Sequence, residues 1–296
     1  MITVLGSANL DLIGTVSRIP QPGETVPGES FSTAAGGKGA NQALAARRAG
    51  AVVRMFAAVG DDSFAPEATA QLRAGGVDMA GVRTAPGLAT GVAMIFVDTK
   101  GENVIAILPG ANGTMSPADA EAALSDMQPG DVLMLQQEIP QAATERGIVL
   151  ATAKGVTTVL NTAPFLDTTA ALAGKASIVI ANETEFALLA GDGKPLETLM
   201  AEWARANDRT IIVTLGPDGA RAATPTTQIS VPALAVTPVD TVGAGDTFCG
   251  YLCAGLDAGM DLEAAMRRAA VAASLACLKP GAQPAIPMSD AVAARL

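Results

Sequence analysis

The stretch VDTVGAGDTF, Val239–Phe248, sets two carboxylates, Asp240 and Asp246, around a turn built on Gly243 and Gly245. Such a turn presents successive backbone N–H groups, a nest suited to developing negative charge. Asp246 falls in the first turn of a helix expected to open at Gly245, where the helix dipole favours a carboxylate. In that place it has the type and position of a general base. The stretch is not a dinucleotide fingerprint, because Phe248 stands where G-x-G-x-x-G has its last glycine. The 296-residue chain contains no histidine. His-dependent triads, His-ligated zinc and His bases are therefore excluded, and proton transfer near neutral pH falls to a carboxylate, Lys, Cys or the single Tyr.

Three other clusters carry suitable chemistry. AAGGKGAN, Ala34–Asn41, places Gly36, Gly37, Lys38 and Gly39 before a helix, where exposed amides and an ammonium suit an anionic or polyhydroxylated ligand. It is not a P-loop, since Gly39 rather than Ser or Thr follows the lysine. GSANLD sets Asn9 and Asp11 just past the first strand, and LMLQQEIP sets Glu138 past another. An acid and an amide at adjacent strand ends are what a sugar needs, because carboxylates accept pairs of hydroxyl donors. NETE follows a third strand; Asn182 and Glu185 read as a helix capping box, and their oxygens also suit a hydrated Mg²⁺.

These residues must be held by the elements around them. Short apolar runs at Ile2–Leu5, Val52–Val59, Val132–Leu135, Thr157–Leu160, Ser177–Ala181 and Thr210–Leu215 read as strands. Helices are expected over Ala40–Ala49, Ser63–Ala74, Pro117–Met127, Pro140–Ala153 and Glu183–Ala190. The alternation predicts a doubly wound, mostly parallel sheet with helices on both faces. Residues 12–34 and 90–108 break the rhythm; they read as a small uncovered β-structure, a lid or dimer surface, within a single α/β domain over 1–296. The last third is mostly helical, at Gly245–Gly259, Leu262–Cys277 and a short final helix.

A net charge of −10 argues against nonspecific binding to nucleic acid or anionic membranes. No apolar run reaches the length of a membrane span and no export signal is visible, so a cytoplasmic location is expected. Cys249, Cys253 and Cys277 read as small buried core residues rather than disulfide or metal partners.

GGKGANQALAARRAGA and DTVGAGDTFCGYL together resemble the two signatures of the ribokinase (PfkB) family of carbohydrate kinases. The likeness runs on through GSANLD, PGETV, GDDSF, TGVAMIFVD, PGAN, LMLQQE, NETE, VTLGPDGA and KPGAQPAIP. It implies a ribokinase-like fold whose β-sheet lid forms a homodimer contact, and MgATP-dependent phosphorylation of a sugar hydroxyl, with D-ribose the expected acceptor. By motif, Asp246 is the implied base, and the amides of Gly243, Ala244, Gly245 and Asp246 the implied anion hole. Asn9, Asp11, Gly37, Lys38, Asn41 and Glu138, with Asp246 again, match the sugar-binding set. Asn182 and Glu185 match the Mg²⁺ and phosphate set, and Thr214, Gly216 and Gly219 the ATP set, which Gly245 also joins. Asp240, with Val242, Ala276, Lys279 and Gly281, matches a K⁺ site. There the chain reads GAQPA, with Ala285 where ribokinases carry a serine, which removes one oxygen ligand. Either Ala269 or Ala270 is expected where some relatives place a histidine near the adenine. A kinase for another sugar or a nucleoside, and a noncatalytic sugar or nucleotide sensor on the same fold, are the alternatives.

Overall fold

The structure, a computed structural model, describes residues 1–296. The chain opens with β1 (Ile2–Leu5), β2 (Asn9–Val16), β3 (Gly28–Gly36), α1 (Lys38–Arg48) and β4 (Val53–Gly60). It continues through α2 (Phe64–Ala74), β5 (Asp78–Ala85), β6 (Gly91–Asp98), β7 (Asn103–Leu108) and α3 (Pro117–Leu124). Then come β8 (Val132–Leu135), α4 (Gln141–Lys154), β9 (Thr157–Asn161), α5 (Thr169–Ala173), β10 (Ile178–Asn182) and α6 (Glu183–Ala190). The remainder is α7 (Leu196–Asn207), β11 (Thr210–Thr214), β12 (Ala220–Ala223), β13 (Gln228–Val231), α8 (Ala244–Asp257), α9 (Leu262–Ala276) and α10 (Ser289–Ala293).

Nine strands form the main sheet, in the order β13-β12-β11-β10-β9-β8-β1-β4-β5. Seven run parallel, and β12 and β13 close one edge antiparallel. Alternate side chains feed two cores. Ile2, Val4, Val132, Met134, Ile178, Ile180 and Ile212 pack with residues of α1, α8 and α9 on one face. Leu5, Leu133, Leu135, Val179, Ile211 and Val213 pack with residues of α3, α4 and α7 on the other. Burying each such Leu or Ile contributes about 1.5–3 kcal/mol, which is why strands buried on both faces are uniformly apolar.

The chain passes from β1 to β4 on one side, and only later adds β8 on the other. The carboxyl ends of β1 and β8 therefore flank the topological switch point, where open α/β sheets leave a crevice. Four further strands, in the order β3-β2-β6-β7, form the lid. The expected lid was left without a covering helix; in fact α2 lies beneath its base, with the Thr33 hydroxyl donating to Glu67. No helix is long and apolar enough to cross a membrane.

Candidate active site

Every sugar-set residue converges on the switch point. β1 ends at Leu5, and the chain turns through Gly6–Ala8 into β2, carrying Asn9 and Asp11. β3 returns antiparallel and leads to Gly37, whose φ of +89° starts α1. A side chain there would meet the Asn9 backbone nitrogen at 2.8 Å, so only glycine permits this approach. Glu138, beyond β8, accepts from the Lys38 amide at 2.9 Å and the Ser7 hydroxyl at 2.5 Å. Asn9 is 2% exposed, and its carbonyl oxygen accepts from Asn112 at 2.7 Å. Its own amide nitrogen has no acceptor within the protein, leaving donors for a ligand.

The charges here are strongly coupled. Burial, then Glu138 and Asp246, push the Asp11 carboxyl up to about 7, against the pull of Lys38. Burial works against the Lys38 ammonium, yet Asp246, Glu138 and Glu185 outweigh it and raise its pKa. Lys38 is thus a fixed cation rather than a base. Burial also pushes the Cys249 thiol well up and the Tyr251 phenol up to about 12, and that phenol donates to the Pro287 carbonyl at 2.8 Å. Of the proton acceptors left by the absence of histidine, only the carboxylates remain.

Asp246, 8% exposed, stands in the first turn of α8. Its Oδ2 accepts from Asn41 Nδ2 and its Oδ1 from Gln42 Nε2, both at 2.9 Å. Gly243 caps the helix with φ +76°, and a Cβ there would lie 2.8 Å from Ala282 Cβ. The amides of Gly243, Gly245 and Asp246 have no acceptor within the protein. The fourth expected member of the anion hole differs: the Ala244 amide closes the turn onto the Thr241 carbonyl at 3.2 Å. The first turn of any helix leaves amides unpaired, and this turn takes back only one of them.

On the far side of the α8 N-terminus lies a cleft of about 470 Å³. Thr214, Gly216 and Gly219, the expected ATP set, line it, and so does Gly245. Ala270 lines it, whereas Ala269 is fully buried. Sequence reasoning missed the walls, namely the loop segment Ala233–Val236, the small residues Ala273 and Ser274 of α9, and Cys277 just beyond its end. The signal was the spacing of small residues at 270, 273, 274 and 277, one stripe of a helix. Cys277 is therefore a half-exposed cleft residue rather than core, whereas Cys249 and Cys253 are buried as expected.

Two places suit metal ions. Asn182 and Glu185 form the reciprocal capping box, with Glu185 Oε2 also accepting from Thr162. Glu185 Oε1 stays uncommitted, as an indirect ligand of hydrated Mg²⁺ requires. Asp240 accepts from the amides of Val242 at 2.9 Å and Gly281 at 2.7 Å. The carbonyls of Val242, Lys279 and Gly281 are uncommitted, while that of Ala276 accepts from the Lys279 amide. One carboxylate among neutral carbonyls suits a monovalent ion. Ala285, 2% exposed, supplies no side-chain oxygen.

A mostly parallel sheet with a polar, acidic crevice on one side of a helix N-terminus and an apolar cleft on the other suits a small-molecule phosphotransferase. Residues 1–288 match the profile described as pfkB family carbohydrate kinase. A deoxyribokinase of Salmonella typhi is 36% identical over 293 residues, covering 97% of this chain and 95% of that protein. A ribokinase of Bacillus subtilis is also 36% identical, over 291 residues, covering 98% and 97%. A structure of Arabidopsis thaliana ribokinase complexed with ribose and ATP superposes with a TM-score of 0.88, at 29% identity and with 99% and 97% coverage. The chain belongs to the pfkB family of carbohydrate kinases.

Proposed function

We propose that the protein transfers the γ-phosphoryl group of ATP to the 5-hydroxyl of D-ribose. The observation that carries this is the place of Asp246, beside uncapped amides at the helix end that separates the two clefts. The sugar hydroxyl gives its proton to the Asp246 carboxylate as its oxygen bonds to phosphorus and the bond to ADP breaks. The free amides of Gly243, Gly245 and Asp246 hold the charge on the transferring group. Phosphoryl transfer needs mainly this positioning and charge stabilisation. Mg²⁺, held through water by Glu185, would neutralise phosphate charge. Asp240 and its neighbouring carbonyls would hold K⁺ behind the turn.

The chain is as similar to a deoxyribokinase as to a ribokinase. Two features favour ribose: Asn9, with an unpaired amide to donate, and Asp11, with a carboxylate to accept, stand two residues apart on β2 and so share one face of the lid. That pair fits a vicinal diol, and a 2-deoxy sugar would leave one partner unpaired. A panel of ribose, 2-deoxyribose, fructose and adenosine with ATP tests the assignment. Ribose should show the highest kcat/KM, at least about tenfold above 2-deoxyribose. A higher value for another acceptor overturns the choice of sugar. Ribose binding without turnover of any acceptor points instead to a sensor.

The outer face of the lid carries Phe31, Met94, Phe96 and Val104, brought together by register, with Phe31 69% exposed. This apolar face fits a second copy of the chain. Sedimentation should show a dimer that Phe31→Glu dissociates; a wild-type monomer would contradict it.

A further inference from the structure

The Asp246 carboxylate accepts two amide donors, and that fixes the direction of both hydrogen-bond chains behind it. A carboxylate only accepts, so Asn41 and Gln42 must present their nitrogens to it and their oxygens away from it. The Asn41 oxygen accepts from Gln283 Nε2 at 3.1 Å, and the Gln42 oxygen from Gln136 Nε2 at 2.7 Å. Two relays of neutral amides, Gln136–Gln42 and Gln283–Asn41, thus converge on one buried carboxylate with their donor ends inward. Their members are between 0% and 6% exposed.

The two relays are not equivalent. Asn41 belongs to the expected sugar set, so its contact with Asp246 is open to exchange when sugar enters. Gln42 has no such freedom. Its nitrogen gives one hydrogen to Asp246 Oδ1 and the other to Asn161 Oδ1 at 3.2 Å, while its oxygen is held by Gln136. Neither hydrogen remains for a ligand, and of its two acceptors only Asp246 is a reacting group in this reading, so what its donors do for the reaction passes through Asp246. An amide is the right chemistry there: it pins a carboxylate without the ion pair that Lys or Arg would form, which would blunt its basicity.

We propose that Gln42, backed by Gln136, is a positioning residue. It holds Asp246 Oδ1 so that Oδ2 faces the sugar hydroxyl when Asn41 turns to the ligand. The inference rests on the reading of Asp246 as the base.

The test replaces Gln42 with Met, which has the same length and no donor. In Gln42→Met, kcat should fall about 10- to 100-fold, the loss expected when a reacting group is left unaligned. Calorimetric dissociation constants for sugar and nucleotide should stay within about twofold of wild type. Introduced into Asp246→Asn, the same change should lower the residual rate no further, because the two residues act as one unit. An unchanged kcat, or a loss matched by equal loss of sugar affinity, overturns the proposal. If Gln42→Met fails to fold, Gln136→Met frees only the oxygen end of Gln42; it should lower kcat severalfold with the same intact binding, and wild-type kcat there refutes the relay. Asp246→Asn run alongside separates the failures: if it is fully active, the reading of the base falls, and if it is inactive while Gln42→Met is normal, only the positioning role falls.

Discussion

Sugar affinity should weaken with falling pH, and Asp11 should be the cause. Its carboxyl is pushed up to about 7, first by burial and then by Glu138 and Asp246. The ionised form is the stronger acceptor of sugar hydroxyl donors, whereas protonation turns one of its oxygens into a donor. The fraction of protein ready to bind then scales as 1/(1 + 10^(7−pH)), about 0.9 at pH 8 and about 0.09 at pH 6. The dissociation constant should therefore rise about tenfold between those values, worth about 1.4 kcal/mol. Titration calorimetry at each pH, repeated in buffers of different ionisation enthalpy, measures both the affinity and the proton released on binding. Asp11→Asn should bind more weakly at pH 8 and show a nearly flat profile. A wild-type constant that is flat, or that tightens toward pH 6, would refute the reasoning. The sign carries over to the unliganded fold. A carboxyl raised in the folded state contributes stability that is fully present below about pH 4 and is lost as pH rises through about 7. Asp11→Asn should accordingly raise Tm at pH 8 and leave it little changed at pH 4.

Two other substitutions separate the clefts from the turn between them. Ala270→Trp should fill the apolar cleft and raise the nucleotide KM more than about tenfold by overpacking, with calorimetric sugar affinity unchanged. Gly243→Ala should be destabilising by about 1–3 kcal/mol and lower kcat. It combines a positive φ with a clash against Ala282, and a thermal melt with a rate assay reads both effects.

The central sheet was legible because its strands are buried on both faces. ITVL and VLML are apolar at every position, as a strand between two helical layers must be. The edges were not. The sequences of β5 and β12, DMAGVRTA and ARAA, have few β-branched or aromatic residues and become strands only by pairing with β4 and β11. The amphipathic LETLMAEWARAN of α7 did carry a helical signal, which went unread behind the GDGKP turn. At the site, residues on either side of glycines were legible, because Asp246, Lys38 and Asn41 sit where backbone geometry announces a loop-to-helix junction. The cleft walls at Ala233–Val236 were not, since an apolar loop reads the same whether it faces a ligand or a neighbour. Gln42, Gln136 and Gln283 also escaped. They lie far apart in sequence, and only the fold shows that their amides serve one carboxylate.

The account stands on Asp246 as the group that takes the proton, and Asp246→Asn tests it most directly. Asparagine keeps the volume and can still accept from one of its two amide neighbours but cannot accept the proton. Purified variant and wild type should bind ribose with similar affinity by calorimetry, while ATP-dependent formation of ribose phosphate falls by about 10²–10⁴-fold. Turnover at the wild-type rate would contradict the mechanism.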